Sequence, residues 1–512
     1  MALSKDLGSI VLIFALALIG WRYRRKWTKR IPRLPPGPPG LPLVGNLFDA
    51  PTNRHWLKFA EMGQVWGDIS SLTVLGQITI ILNSVEAAED ILDARGANFS
   101  DRPVIPMGGE LCGFNNALIL SQYGERVRTE RKLFHHLFGT PAATTNFAPL
   151  IATEIGAFLH NVASNPQGLI PSIRRLTAAI TLRIAYGYRL RDGSERDSFL
   201  QMFETAGQNF SRSAAPGAFL VDTIPSLRIW PNWLPGGGFH TTAKDWSKQL
   251  HDTVNSGLAY VKAQMIAGKG ETSFVSTLLD EKIHDEYLIK WAGISIEEGG
   301  SDTTAAQLEA FFLAMSLYPD VQAAAQEELD RVVGFDRLAD LSDRGDLPYM
   351  NALVKEVFRW HNASPIGLPH RAREDCIYQK DAESELLLIP KNSLVIANIW
   401  KLTHDPKRYA NPMRFNPSRF IAGAEKEAEP DPTRICFGYG RRICPGKHLA
   451  DTILYLACTA VLSVFKISKA KEGEPQLGQA SGTVSHPLPF DCVVEPRNAA
   501  ALALIRSTET QD

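Results

Sequence analysis

The stretch Phe437-Gly438-Tyr439-Gly440-Arg441-Arg442-Ile443-Cys444-Pro445-Gly446 runs directly into an apolar helical pattern over Leu449–Phe465. Leu449, Ile453, Leu456, Ala460 and Val464 recur at three- and four-residue steps, so this helix has one stripe to bury and belongs in a core. The three glycines ahead of it give the turn close backbone approach and access to φ > 0.

A cysteine at the head of such a helix lies at its positive dipole end, which favours the thiolate. Backbone N–H groups aimed at the sulfur would tune it as a ligand. Arg442, two residues before Cys444, is placed to meet the anionic edge of a cofactor, such as a haem propionate. Two blander readings stand beside this one. Cys444 is a small buried hydrophobe in a glycine-rich turn, or it forms a metal pair with His448 one turn on, which gives zinc too few ligands.

The remaining chain frames that loop. Among 512 residues, 54 basic side chains balance 55 acidic ones, so nothing calls for a nucleic-acid partner. The six cysteines are scattered without a CxxC pair, which fits a reduced, cytosol-facing set. Leu7–Trp21 is an unbroken apolar run, and Arg22, Arg24, Arg25, Lys26, Lys29 and Arg30 follow it. Residues 1–21 therefore read as a single-pass anchor with the chain beyond it cytosolic; a cleaved signal is the alternative for so short a run. Residues 22–40 read as a basic, proline-rich linker, with Pro32–Gly40 a stiff extended spacer. Residues 41–512 are then one domain, since no second linker or repeat occurs. Strand-like alternation is confined to Ile69–Leu82 and Leu386–Ile399. Helical periodicity covers Thr181–Ala206, Tyr287–Leu317, Val321–Val333, Tyr349–Trp360 and Leu449–Phe465, giving a mainly α fold with a minor β-sheet.

The cysteine loop resembles the F-x-x-G-x-R-x-C-x-G motif of the cytochrome P450 family, met by Phe437, Gly440, Arg442, Cys444 and Gly446. Further family motifs follow the same order along the chain. Glu356 and Arg359 form an E-x-x-R, which Arg419 should join in a buried structural network. The resemblance implies the P450 fold and haem b with Cys444 as thiolate ligand. It also implies a monooxygenase that places one atom of O2 into a lipophilic small molecule, with electrons from an NADPH-dependent P450 reductase.

Gly299-Gly300-Ser301-Asp302-Thr303-Thr304 matches the family's oxygen-side helix. Two adjacent glycines cost a helix about 1 kcal/mol each relative to alanine, so a local need is implied. That need reads as a groove for dioxygen, with a helix distortion assisted by the Thr303 hydroxyl. Reducing one oxygen atom to water consumes two protons. The resemblance has Thr303 holding the hydrogen-bond chain and Asp302 feeding it from solvent. Glu298 departs from similar sequences, which carry a small or apolar residue there. It turns to solvent, binds a polar substrate group, or joins the relay.

The resemblance also implies that Arg131 and His370 bind haem propionates. The family's W-x-x-x-R reads Val127-x-x-x-Arg131 here, so an indole donor is missing and retention leans on Arg442 and His370. Substrate contacts are expected, by position, from Met107, Phe114, Ile366, Leu368, Thr483 and Val484. Ala214–Phe239 carries only Asp222 and Arg228 as charges and holds Trp230 and Trp233, which suits a membrane interface. Arg434, Arg441, Lys447 and Lys132 would offer the reductase basic contacts. Pro369-His370-Arg371, the run at 485–490 and Ile224-Pro225-Ser226-Leu227 resemble fungal microsomal members. That likeness implies the endoplasmic reticulum membrane and secondary metabolism of terpenoids, polyketides or alkaloids. Two other classes compete: a haem-thiolate isomerase or dehydratase needing no reductase, and a non-catalytic membrane-tethered ligand carrier.

Overall fold

The computed structural model describes residues 32–191, 197–423, 427–470 and 478–508. The apolar run at 7–21 and the basic residues at 22–30 lie outside them. The principal elements in chain order begin with α1 (His55–Trp66), β1 (Ile69–Val74), β2 (Gln77–Leu82), α2 (Glu125–Phe138), α3 (Ala148–Ser164) and α4 (Leu169–Tyr186). Next come α5 (Ser198–Ser213), α6 (Phe239–Ile266), α7 (Glu286–Leu317), α8 (Pro319–Val332) and α9 (Pro348–Trp360). The chain continues through β3 (His370–Arg371), β4 (Cys376–Tyr378), β5 (Leu387–Ile389) and β6 (Leu394–Ala397). It closes with α10 (Lys447–Val464), β7 (Phe465–Lys469), β8 (Cys492–Pro496) and α11 (Ala499–Thr508).

Helices dominate, as their periodicity predicts. The pattern over Thr181–Ala206, however, is two helices. α4 ends where Gly187 takes φ 65°, a left-handed stop, and α5 restarts at Asp197, whose carboxylate caps the N–H groups of Phe199 and Leu200. The chain between them is charged, and the apolar faces of both helices then join the same core.

The long helix α7 is its axis. Asp285 caps it by accepting from the Leu288 N–H, and every residue from Thr304 to Ser316 is buried. Helix α4 lies against it at a glycine: a Cβ on Gly300 would stand 2.8 Å from Thr181 Cγ2. Gly299 meets nothing within 4 Å. The glycine pair thus divides its purposes, Gly300 for helix packing and Gly299 for open space on the other side.

β1, β2, β6 and β3 form one sheet in that order, with β2 parallel to β6 and the other pairs antiparallel. The proline-rich segment is not a free spacer. Its prolines cannot donate, but their carbonyls accept: Pro36 O from the Ser71 N–H at 2.9 Å and Pro35 O from the Ser71 hydroxyl at 2.6 Å. Arg33 also bridges to Leu387. The folded unit therefore begins before residue 41. α10 is long and apolar enough to cross a membrane, yet it is a core helix, mostly buried among its neighbours.

Candidate active site

The cysteine loop is held by its backbone. The Cys444 N–H donates to Phe437 O at 2.8 Å, and the Phe437 ring packs edge-on to Phe358 at 5.0 Å. Gly438 and Gly440 take φ 79° and 64°, and a Cβ on Gly440 would fall 2.1 Å from Leu92 O, so only glycine fits there. Gly446 differs from expectation: its φ is −89° and a Cβ would meet open space. Its backbone N–H favours the Cys444 thiolate. Burial raises the Cys444 pKa, while that N–H and the charges of Arg131 and Lys447 oppose the rise. No group of three or more His, Cys, Asp or Glu able to hold a metal ion occurs among the described residues, so a zinc pair with His448 lacks its remaining ligands. A haem iron, which brings four nitrogens of its own, needs one protein thiolate.

A buried cationic cluster supports that cofactor. Arg131 Nη2 donates to Ile443 O at 2.8 Å, tying α2 to the cysteine loop. Arg442 donates to the carbonyls of Ser100, Leu118 and Ser121. A third guanidinium, Arg102, donates to Leu368 O at 2.9 Å and Pro369 O at 3.0 Å, and its buried Nε has no partner. None of the three forms an ion pair among the described residues. Burial and mutual repulsion push Arg102 down to about 9 and Arg442 down to about 10. Three crowded cations with an orphaned N–H call for a dianionic partner, and the two propionates of haem b supply that charge.

Arg102 carries no motif. Its one signal in the sequence is position, a lone arginine heading the uncharged run Pro103–Gly109. His370 is buried and its Nδ1–H is spent on Phe99 O at 2.6 Å. Burial and then the Arg102 charge push its pKa down to about 3, so the ring is neutral. Val127, at the missing tryptophan position, is buried and contributes packing alone. Arg102 adds a donor on the same side of the site.

On α7 the Thr303 hydroxyl donates to Gly299 O at 2.8 Å, leaving its lone pairs to accept. The helix is continuous from Glu286 to Leu317 through this back-bond. Asp302 is half-exposed and pairs with His486 at 3.1 Å, which keeps its pKa low against the burial that would raise it. Glu298 does not turn to solvent. Its Oε1 is buried without a partner, and burial pushes it up to about 8. Glu297 is more buried and is also raised to about 8, first by burial and then by the charges of Glu298, Asp302 and Glu204.

The ionic network is complete and deeply buried. Arg359 grips both Glu356 oxygens at 2.7 and 2.9 Å, and Arg419 Nε meets Glu356 at 3.1 Å. Glu429, which no motif marks, pairs with Arg419 at 2.6 Å and balances two arginines with two glutamates.

The expected substrate contacts scatter. Met107 and Phe114 are fully buried in the helical core, where Phe114 packs on Phe210 at 5.1 Å. Ile366 is partly buried against a separate cluster with Phe59, Leu72 and Ile396. Leu368 lends its carbonyl to Arg102, and Thr483 and Val484 are half-buried just ahead of Ser485.

A single cysteine in a glycine-shaped loop, beside buried arginines that lack counter-ions, defines a haem-thiolate protein. The comparisons agree: the family model described as Cytochrome P450 matches residues 35–494, and the chain belongs to that family. It is 45% identical over 506 residues to Cytochrome P450 monooxygenase 208 of Postia placenta, covering 98% of this chain and 97% of that one. It is 44% identical to Cytochrome P450 monooxygenase claR of Ampulloclitocybe clavipes, covering 92% and 88%. It is also 36% identical to O-methylsterigmatocystin oxidoreductase of Aspergillus flavus, covering 98% and 95%. The chain is a P450 monooxygenase, an oxidoreductase of a family that uses haem b with a cysteine thiolate as axial ligand.

Proposed function

We propose that this enzyme hydroxylates a lipophilic intermediate of fungal secondary metabolism, a terpenoid, polyketide or alkaloid, with Cys444 as the thiolate ligand. The unpaired Arg102–Arg131–Arg442 cluster beside the Cys444 loop is the observation that carries the reading. Haem b, when bound, supplies the iron centre that activates dioxygen. The protein's own residues do the rest. Arg102, Arg131, Arg442 and His370 hold the propionates, Gly299 leaves space beside α7, and Asp302 and Thr303 handle protons.

Electrons come from an NADPH-dependent flavoprotein reductase. Arg434, Arg441 and Lys132 are exposed and Lys447 is half-exposed, and none has an ion-pair partner among the described residues, which suits an acidic docking face. Residues 7–21 anchor the chain in the endoplasmic reticulum membrane. The 214–239 segment lies on the same membrane, supported by Ile229 at 87% and Trp233 at 81% exposure. A relative named for oxidising O-methylsterigmatocystin supports a small organic substrate.

The test is product analysis of microsomes co-expressing the chain, a reductase and neighbouring biosynthetic enzymes. Reductase- and NADPH-dependent gain of an oxygen atom is the expected result. Conversion without reductase would establish the isomerase class instead, and haem-loaded protein that binds but never converts would establish a carrier.

A further inference from the structure

His486 lies in the run at 485–490, to which the sequence assigns no chemical role, yet the segment is tightly built. Ala480 N–H donates to His486 O at 2.8 Å, and Ser485 N–H donates to Ala363 O at 2.8 Å. His361 braces it from the end of α9. Its Nε2–H donates to Ser485 O at 2.8 Å, and its Nδ1 accepts from Gln479 at 3.0 Å. Gln307 of α7 donates to the His361 carbonyl at 2.9 Å. His361 is therefore a neutral ring in one defined tautomer, and burial pushes its pKa down to about 4.

Within that frame the His486 ring bridges two carboxylates of α7. Its Nε2 is 3.1 Å from Asp302 Oδ1 and its Nδ1 is 2.8 Å from Glu309 Oε2. Arg174 of α4 meets the other Glu309 oxygen at 3.5 Å. Asp302 and Glu309 stand seven residues apart, two turns on one helix face. A neutral imidazole has one N–H and satisfies one acceptor; carboxylates at both nitrogens require the imidazolium. The charged and titratable groups around it are Asp302 and Glu309 from α7, Arg174 behind Glu309, and neutral His361. Burial opposes the charge, but the two carboxylates outweigh it and hold the His486 pKa up at about 9.

We propose that His486 is the positioning residue of proton delivery: its imidazolium holds Asp302 to Glu309, and opening of that bridge lets Asp302 pass a proton inward toward Thr303. This rests on the monooxygenase reading. Protonation of Asp302 by hydronium ion from bulk solvent removes the charge that binds it to His486. The neutral carboxyl then turns, surrenders its proton to the hydrogen-bond chain at Thr303, and returns as a carboxylate to His486. No electron moves in these steps, and the protons are those the oxygenation consumes.

The experiment compares full-length holoenzyme with His486→Ala and His486→Lys, each checked for haem content. General acid–base groups contribute about a hundredfold or more; loss of orientation alone is expected to cost His486→Ala on the order of tenfold in product formed per NADPH. The Lys variant restores a cation and should recover coupling, with the alkaline limb of its pH profile moved upward. A second readout needs no turnover. A folded pKa of about 9, above the ordinary 6.5, contributes stability that is fully present below pH 6.5 and lost as pH rises through 9. Urea unfolding should show that loss in the wild type and not in His486→Ala. Variants that lose stability yet keep wild-type coupling and pH profile would make the ring merely structural and overturn the proposal. Parallel stability curves would show that the ring is not a cation, with the same consequence. A wild type without reductase-dependent turnover would instead overturn the monooxygenase reading, and the proton role with it.

Discussion

Replacing Glu298 with glutamine removes a charge while keeping the shape of the side chain. Glu298 Oε1 is buried with no partner, and the carboxyl is raised from 4.5 to about 8 by burial. A group whose folded pKa is raised loses stability as pH climbs from the unfolded value through the folded one. The interval from 4.5 to about 8 corresponds to about 5 kcal/mol at roughly 1.4 kcal/mol per pH unit. Because the residue as a whole is only half-buried, water screening reduces this to about 3 kcal/mol. Glu298→Gln should therefore be nearly as stable as wild type at pH 5 and about 3 kcal/mol more stable above pH 8. Its gain should exceed Glu298's own share, because Glu297 is itself raised in part by the Glu298 charge. Urea denaturation of detergent-solubilised holoenzyme from pH 5 to pH 9 measures the difference. Parallel curves for the two proteins would refute the reasoning, since they would mean that Glu298 ionises as it does in water. Unchanged coupling and substrate affinity in Glu298→Ala would separately remove it from the proton relay and from substrate binding.

Arg102→Leu should speed haem loss, followed by transfer to apomyoglobin, while Arg102→Lys should retain part of the hold. Glu429→Gln leaves Arg359 and Arg419 sharing one carboxylate, and removing one partner of a buried pair costs about 3 kcal/mol, read as a lower urea midpoint. In full-length protein in vesicles, brominated lipid should quench tryptophan fluorescence less in a Trp230→Ala, Trp233→Ala double variant than in wild type, with Trp21 and Trp27 quenched in both and no loss of haem.

What the sequence makes legible is local. The cysteine loop, the Glu356–Arg359 pair and the glycine pair on α7 are each set by neighbours a few positions apart, so spacing reveals them. Arg102, Glu429 and His486 act across 266, 10 and 184 positions, on Leu368, Arg419 and Asp302 respectively. No periodicity announces such contacts. Even Arg419 was legible only through its motif, while its second counter-ion, Glu429, was not. Glu298 shows another limit: a carboxylate on a helix ordinarily turns to water, and only packing reveals that this one cannot. Gly446 is expected to need a positive φ like Gly438 and Gly440, but its φ is −89°. The break between α4 and α5 carries its own local signals, Gly187 and the charged run ending at Asp197, which the periodicity on either side outweighs.

The central claim is that Cys444 is the thiolate ligand of a haem. The carbon-monoxide difference spectrum of the reduced, full-length protein tests it most directly. The wild type should show the thiolate-type band, and Cys444→His, folded and haem-loaded, should lack it. Well-folded wild-type protein without that band, or a Cys444→His variant that keeps it, would contradict the account.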